Sequence, residues 1–199
     1  ASDGIAVSTG GNINVNVYEI RGDGDYIWGV NASNGAYANG YIYGGVTSVN
    51  VGSIDLTGDY NAGVVMQTYS SAFVNVGDID IDGDFGVGVS VAFGAYDADS
   101  VAVVDVGNVT LAGEGNLGVV VQGYGAALVS VDSVVNQNGG GVAVQGVFGA
   151  AVLDAGSVEV AGDFGRAIQV ASNYSDATLR VDSAQTDGFL AHAVSVQGY

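Results

Sequence analysis

The sequence has no cysteine, no proline and no lysine among its 199 residues, and its basic residues are one histidine and three arginines. Without cysteine, disulfide bonds and thiolate chemistry are excluded, so burial and backbone pairing have to stabilise the fold. The shortage of positive charge excludes nucleic acid and anionic membrane surfaces as partners, because both need basic side chains opposite their phosphates. No apolar run approaches the roughly 18 residues of a membrane-spanning helix, so we expect no span.

Glycine and acidic residues are abundant instead. The chain has 34 glycines and 21 acidic residues, a net charge of −18, and a hydrophobic content of 48%. This hydrophobic content is too high for a disordered chain, while the negative charge favours solubility. The length fits one folded domain, 1–199, which we expect to lie outside the cell.

A repeat organises the whole chain. The segment "DIDIDGDFG" (78–86) recurs in altered form as "SIDLTGDYN" (53–61), "NVTLAGEGN" (108–116) and "SVEVAGDFG" (157–165). The residues at one equivalent place of successive repeats are Val15, Val51, Val76, Val106, Val131, Ala155 and Val181. The steps from Val15 to Val51 and from Val76 to Val106 are enlarged, and the others are about 25 residues, a period typical of a solenoid.

Each repeat contains three short segments in which apolar and polar residues alternate, which predicts three strands per coil. Because successive side chains of a strand point to opposite faces, one set of positions faces the core. The inward set of the coil at 74–92 is Val74, Val76, Ile79, Ile81, Val89 and Val91, and the outward set includes Asn75, Asp80 and Ser90. The expected fold is all-β: a right-handed parallel β-helix with about 25 residues per coil and six to seven coils.

Two coils are enlarged by inserted loops at about 34–48 and 94–103. Insertions in solenoids emerge from one face, where they are free to bind. The first loop contains Tyr37, Tyr41 and Tyr43, which makes it the candidate contact surface for a glycan or a host or cell-surface protein.

Two further features predict self-association. Val65, Val120 and Ala143 occupy outward positions on the third strand of their coils, which indicates a face covered by a lateral partner. The first and last coils end without an evident polar cap, so their strand edges are open to further pairing: either the chain is a piece of a longer solenoid, or copies stack end to end.

The repeat units "VNVGSIDLTGDYNAGVVMQ" (49–67), "VNVGDIDIDGDFGVGVSVA" (74–92) and "VDVGNVTLAGEGNLGVVVQ" (104–122) resemble the passenger repeats of bacterial autotransporters and haemagglutinin-like surface proteins. The likeness covers the chain from about residue 13 to its end. It implies a right-handed β-helix exported to the cell surface, and it is compatible with adhesins, stalks and enzyme carriers alike.

Acidic residues cluster in the second strand and the following turn. The cluster consists of Asp55, Asp59, Asp78, Asp80, Asp82 and Asp84. The spacing at 78–84 begins like an EF-hand loop, but the place of the bidentate glutamate is occupied by Val89, so an EF-hand is excluded. A different calcium site and a solvated acidic face both remain open.

Aromatic residues recur near the third turn of successive coils, which predicts a stacked column or, if the rings face solvent, a sugar-binding row. The column comprises Tyr69, Phe93, Tyr124, Phe148, Tyr174 and Tyr199.

These observations favour a non-enzymatic structural solenoid of the cell surface or extracellular space, a rod, stalk or filament subunit that self-associates through its end coils and its apolar face. The alternative is an adhesin that binds through the tyrosine-rich loop. A polysaccharide-degrading β-helix is the third interpretation, and only the aspartate-rich strand favours it.

Overall fold

The computed structural model describes residues 2–38, 41–94, 97–163 and 165–198, and for residues 2–3, 36–38 and 41–43 it describes the backbone alone. The chain is an all-β solenoid of about seven turns with roughly 26 residues per turn, as the repeat predicts. The described part contains strands and turns and no helix. No helix that could cross a membrane occurs there.

Seventeen strands follow one another along the described part of the chain. In order, they are β1 Ser2–Thr9, β2 Ile13–Asp23, β3 Ile27–Asn34, β4 Ala36–Ala38, β5 Tyr41–Tyr43, β6 Thr47–Thr57, β7 Ala62–Thr68, β8 Ala72–Asp82, β9 Val87–Phe93, β10 Val101–Ala112, β11 Asn116–Gly123, β12 Ala126–Asn136, β13 Gly139–Gly146, β14 Ala151–Ala161, β15 Arg166–Ser172, β16 Ala177–Asp187 and β17 His192–Gly198.

Two parallel sheets run the length of the solenoid. Sheet I has the order β1-β3-β7-β9-β11-β13-β15-β17, and sheet II has the order β16-β14-β12-β10-β8-β6-β2. Each strand therefore pairs with its counterparts one coil before and one coil after it, about 4.8 Å away. β4 and β5 form a separate antiparallel pair in the first insertion.

The first two predicted segments of each coil are continuous in the structure. In β8, Val76 and Ile79 both face the core, and Gly77 and Asp78 lie between them where the alternation shifts by one residue. Each coil thus contains one long strand in sheet II, which bends at this point, and one short strand in sheet I. The break in alternation is what made the long strand look like two segments.

The core is a single stack of aliphatic side chains between the two sheets. All six predicted inward residues of the coil at 74–92 are at most 3% exposed. Burying a side chain of this size contributes about 1.5 to 3 kcal/mol, so a stack of this length accounts for folding without disulfides.

The pairing register corrects one predicted step. Val51 pairs with Val17, and Val15 pairs with Val49, so the first step is shorter than the predicted one by two positions. Because side chains repeat every two residues along a strand, a shift of two leaves the same residues inward. The hydrophobic pattern therefore could not distinguish the two registers.

Buried asparagines close the turns that lead from sheet II to sheet I. Asn61 is 1% exposed, and its Oδ1 accepts a 2.7 Å hydrogen bond from the backbone N–H of Ile27. Its Nδ2 donates to the carbonyl oxygens of Gly24 at 3.0 Å and Gly58 at 2.8 Å. One amide thereby links two coils. The buried asparagines at these turns are Asn61, Asn116 and Asn136.

Candidate functional site

The predicted calcium ligands lie on one side of the solenoid, on strands β6 and β8 and in the turns that follow them. Asp55 and Asp80 are paired in register on neighbouring strands, as expected. Asp78 accepts a 2.8 Å hydrogen bond from Nδ2 of Asn108 in the next coil, and Asp82 is the last residue of β8. The carboxylates therefore form columns along the axis.

The two turn aspartates have a structural role. Oδ1 of Asp59 accepts a 2.9 Å hydrogen bond from the backbone N–H of Asp84, and Oδ1 of Asp84 accepts one of 2.7 Å from the N–H of Glu114. Likewise, Oδ1 of Asp25 accepts a 2.9 Å hydrogen bond from the backbone N–H of Asp59. Hydrogen bonds to an ionised acceptor are stronger than neutral ones, which explains why Gly-Asp recurs in the repeat.

A metal-binding arrangement is not evident in the part of the chain that the structure describes, where no three histidine, aspartate or glutamate side chains are grouped to hold an ion. Calcium takes six to eight oxygen ligands. The columns alone do not supply that number at one point, and calcium binding stays a prediction.

The environment of Asp80 disfavours its charged form. Partial burial raises the pKa of Asp80, and the neighbouring carboxylates Asp55 and Asp82 raise it further. Folding therefore makes protonation of Asp80 easier than in the unfolded chain, and the free energy of unfolding falls as the pH rises from the unfolded pKa, about 3.9, through the folded one.

We expect Asp80→Asn to raise the free energy of unfolding at neutral pH by a few tenths of a kcal/mol, since charges about 4.8 Å apart repel by under 1 kcal/mol in water before screening. The gain should vanish below about pH 3, where the wild-type carboxyl is neutral in both states. Thermal unfolding across pH measures it. Asp105→Asn is the control, because its register neighbours are Asn75 and Ser130. A gain in Asp80→Asn that persists at low pH would contradict the charge explanation.

The tyrosine-rich insertion is an antiparallel hairpin. Tyr37 lies in β4, and Tyr41 and Tyr43 lie in β5. Asn34 holds its base: Nδ2 donates to the carbonyl of Gly45 at 2.6 Å, and Oδ1 accepts from the N–H of Gly45 at 3.0 Å. The tyrosine side chains lie outside the description, so their predicted contact with a glycan or protein stays a prediction.

The predicted lateral residues lie in one register row on the outer face of sheet I. Val65 pairs with Ser90, Ser90 with Val120, and Val120 with Ala143. All four are partly exposed. We call the whole solvent side of sheet I, of which this row is the centre, the outer face.

Charge is segregated between the two sheets. Every strand of sheet II contains at least one acidic residue, whereas the described strands of sheet I contain a single one, Asp3. The one arginine in these strands of sheet I is Arg166. In a chain with a net charge of −18, the described strands of the outer face are therefore close to neutral, and Asp163 adds one carboxylate from a turn at its edge.

The outer face has relief. A dent of about 400 Å³ is lined by Gly139, Gly140 and Gly141, which contribute no side chains, and by residues that include Asp163 and Arg166. The side chain of Leu117, 44% exposed, lines the dent, and Trp28, 38% exposed, lies in the same register row near the other end of the sheet.

The predicted aromatic column is present in part. The rings of Tyr124 and Phe148 are 5.6 Å apart between centroids, and those of Phe148 and Tyr174 are stacked at 5.1 Å. Phe93 is different, since it is 3% exposed and belongs to the core. The side chain of Phe93 lies in the core with the valines and not in the surface column that the spacing predicts. Tyr199 lies outside the described residues.

A second aromatic column was not predicted. Tyr26 and Tyr60 stack at 4.8 Å, and Tyr60 and Phe85 stack at 5.0 Å. All three follow a Gly-Asp pair in the sequence, and this recurrence was the signal that could have identified them. Stacked rings of this kind reinforce the pairing of successive coils.

Comparison with known proteins finds no matching family model, no matching curated protein and no matching solved structure. The likeness to β-helix repeat proteins is therefore one of architecture, and the assignment to autotransporter passengers stays a prediction.

Proposed function

We propose that this chain is a non-enzymatic structural solenoid, a rod, stalk or filament element of the extracellular space or bacterial cell surface, which self-associates through its end coils and its apolar face. The supporting observations are the ladders that join successive coils along the rod and the exposed core side of the coil that contains β17. In β15, the inward residues Ile168 and Val170 are at most 1% exposed, whereas one coil later their counterparts Val194 and Val196 are 46% and 47% exposed.

The last coil therefore presents two features that favour another coil. Its core-side valines leave apolar surface exposed to water, and burying that surface would contribute about 25 cal/mol per Å². The outer edges of β16 and β17 also carry backbone N–H and C=O groups that face no further strand among those described. A further coil supplies both, a strand edge and aliphatic side chains, whether it belongs to the same protein or to the first coil of a second copy.

The ladders along the rod suit a mechanical role. Asparagine side chains bond from coil to coil in sheet II, with Nδ2 of Asn75 donating to Oδ1 of Asn50 at 3.2 Å, and Asn50 donating to Asn16 at 3.2 Å. Together with the aspartate turns and the stacked rings, these side chains join successive coils along the axis at several points of the cross-section. Such an arrangement resists separation of the coils.

The test is electron microscopy and sedimentation of the purified chain over a range of concentrations. We expect wild type to form elongated polymers. Val196→Lys places a charge on the exposed core edge and should weaken the apparent affinity of end-to-end association at least tenfold, about 1.4 kcal/mol. Ser195→Lys adds the same charge to the outward side of the same strand and should behave as wild type. A wild-type chain that stays monomeric up to its solubility limit would rule the proposal out.

A further inference from the structure

We propose that two copies of this chain pair face to face through the outer face of sheet I, antiparallel to each other, with the two-fold axis running along strand β9. This inference deepens the proposed structural role by naming a lateral partner and its geometry. It uses a different surface from the last coil, so the two are separable by experiment.

A two-fold axis that lies in the interface and along β9 reverses the order of the strands. The strand before β9 then faces the strand after it, so β7 faces β11, β3 faces β13 and β1 faces β15. The position of a residue along its strand is unchanged, so each register row faces its own copy. The three outward rows can therefore be compared with themselves in reverse.

The central row matches itself. Val65 of one copy comes opposite Val120 of the other, and the reverse pair forms at the same time. Ser90 lies on the axis and faces its own copy. Apolar side chains thus meet apolar side chains at the two sites nearest the axis, where a dimer interface is best shielded from water.

The row that contains Trp28 matches by size. Trp28 lies two strands before β9, and Gly140 lies two strands after it, so the indole comes opposite the glycine dent of about 400 Å³. Leu117, 44% exposed, comes opposite Ala62, which is small. A projecting residue therefore faces a recess or a small residue, and the symmetry repeats each match.

The register of the same row places Arg166, three strands after β9, opposite the backbone position of Asp3, three strands before it. In the third row, Gln67 comes opposite Gln122, and two exposed amides can exchange hydrogen bonds.

The parallel alternative keeps the apolar match of the central row, where each residue faces its own copy, but lacks the matches of the two other rows. With the two-fold axis along the rod, strands face themselves and the outer rows exchange, so that Trp28 meets Ser33 and Leu117 meets Gln122. Arg166 then faces Ala171, which has no charge to offer it. The antiparallel arrangement is therefore the one that the sequence of the face favours.

Area and charge also favour a second copy as the partner. The seven strands from β1 to β15, at about 4.8 Å each and about six residues wide, cover roughly 670 Å² per copy, close to the roughly 800 Å² of a standard interface. Two chains of net charge −18 repel, but this contact keeps the acidic strands of sheet II on the far sides, several Debye lengths apart at physiological salt.

The absence of cysteine makes cross-linking a clean test. Val65→Cys and Val120→Cys are prepared as separate chains and oxidised, alone and mixed, so that only cysteines in direct contact join as a disulfide. In the antiparallel pair each cysteine lies two strand spacings, roughly 9.6 Å, from its own copy, which a disulfide cannot span. The antiparallel pair is expected to give cross-linked dimer in the mixture and little with either chain alone. Cross-linking of Val65→Cys with itself would indicate the parallel pair, and no cross-linking in any combination would indicate no face contact; both results overturn the proposal.

Sedimentation provides the second arm. Val65→Asp places two carboxylates per dimer against Val120 and should weaken dimerisation at least tenfold. Val103→Asp is the matched control, since Val103 is 37% exposed on the opposite sheet and should leave the dimer unchanged. Val196→Lys should also leave the dimer unchanged while weakening end-to-end association at least tenfold, so failure of one contact is distinguished from failure of the other. Equal dimerisation of the two aspartate variants would contradict the proposed face.

Discussion

Asn61→Ala is expected to lower the free energy of unfolding by about 3 to 5 kcal/mol, because a buried polar group left without a partner costs about 1 to 3 kcal/mol and several are left here. The side chain is 1% exposed and satisfies three backbone groups, the N–H of Ile27 and the carbonyls of Gly24 and Gly58. Because Ile27 and Gly24 belong to one coil and Gly58 to the next, the loss falls on the junction between coils. Urea unfolding followed by circular dichroism measures it.

Two variants separate hydrogen bonding from packing at this position. Asn61→Asp keeps the volume and the acceptor but turns an oxygen toward two carbonyl oxygens, so at neutral pH we expect it to be at least as unstable as Asn61→Ala. Asn75→Ala removes an exposed asparagine whose bond to Asn50 is 3.2 Å long, and should cost under about 0.5 kcal/mol. If Asn61→Asp were as stable as wild type, the bonds to the two carbonyls would not matter.

Gly58→Ala is expected to cost about 2 to 4 kcal/mol, the second largest effect of a single substitution, because strain and overlap add. Gly58 has a φ of 114°, in a region that residues with a Cβ rarely adopt. A Cβ there would overlap the carbonyl oxygen of Gly24 in the neighbouring coil. Neither backbone can move without disturbing the pairing of its coil.

The control for this prediction is Gly11→Ala, because the nearest atom to a Cβ at Gly11 is Oγ1 of Thr9 at 3.8 Å, an ordinary contact. We expect it to be neutral within about 0.5 kcal/mol. Thermal and urea unfolding of both variants give the comparison. Similar stabilities for Gly58→Ala and Gly11→Ala would show that the turn tolerates a Cβ and that the coil junction is looser than its geometry indicates.

The sequence was sufficient for the solenoid and for the inward residues of its coils. Val74 and Ile79 could be placed in the core because alternation along a strand determines which face a residue occupies. The repeat period determines which coils are neighbours. The pairing of Asp55 with Asp80 followed from the same count.

The sequence pattern could not predict features that depend on atomic contacts between coils. Val51 pairs with Val17 and not with Val15, but a shift of two residues keeps the same side chains inward. The hydrophobic pattern therefore cannot distinguish the two registers. Asn61 looks like a loop residue in "DYNAG", although it is buried, because its function is to bond backbone groups of two coils. Phe93 has the spacing of a surface column and the burial of a core residue.

The candidate surfaces were predictable only as rows. Outward alternation identified Val65, Val120 and Ala143, but the dent at Gly140 and the exposure of Trp28 and Leu117 required the register of the whole sheet. The turn aspartates were interpreted as metal ligands because the sequence shows their charges but not the backbone N–H groups whose hydrogen bonds they accept.

Within sheet I and sheet II, each coil pairs only with the coil before and the coil after it. A gene that duplicated one such unit would lengthen the rod by a single step of about 4.8 Å and would meet no new packing problem, because the added coil buries its neighbours as they were buried before. Length is therefore a property that evolution can adjust in this architecture without redesigning the interior, and the reach of the molecule can change while its cross-section stays the same.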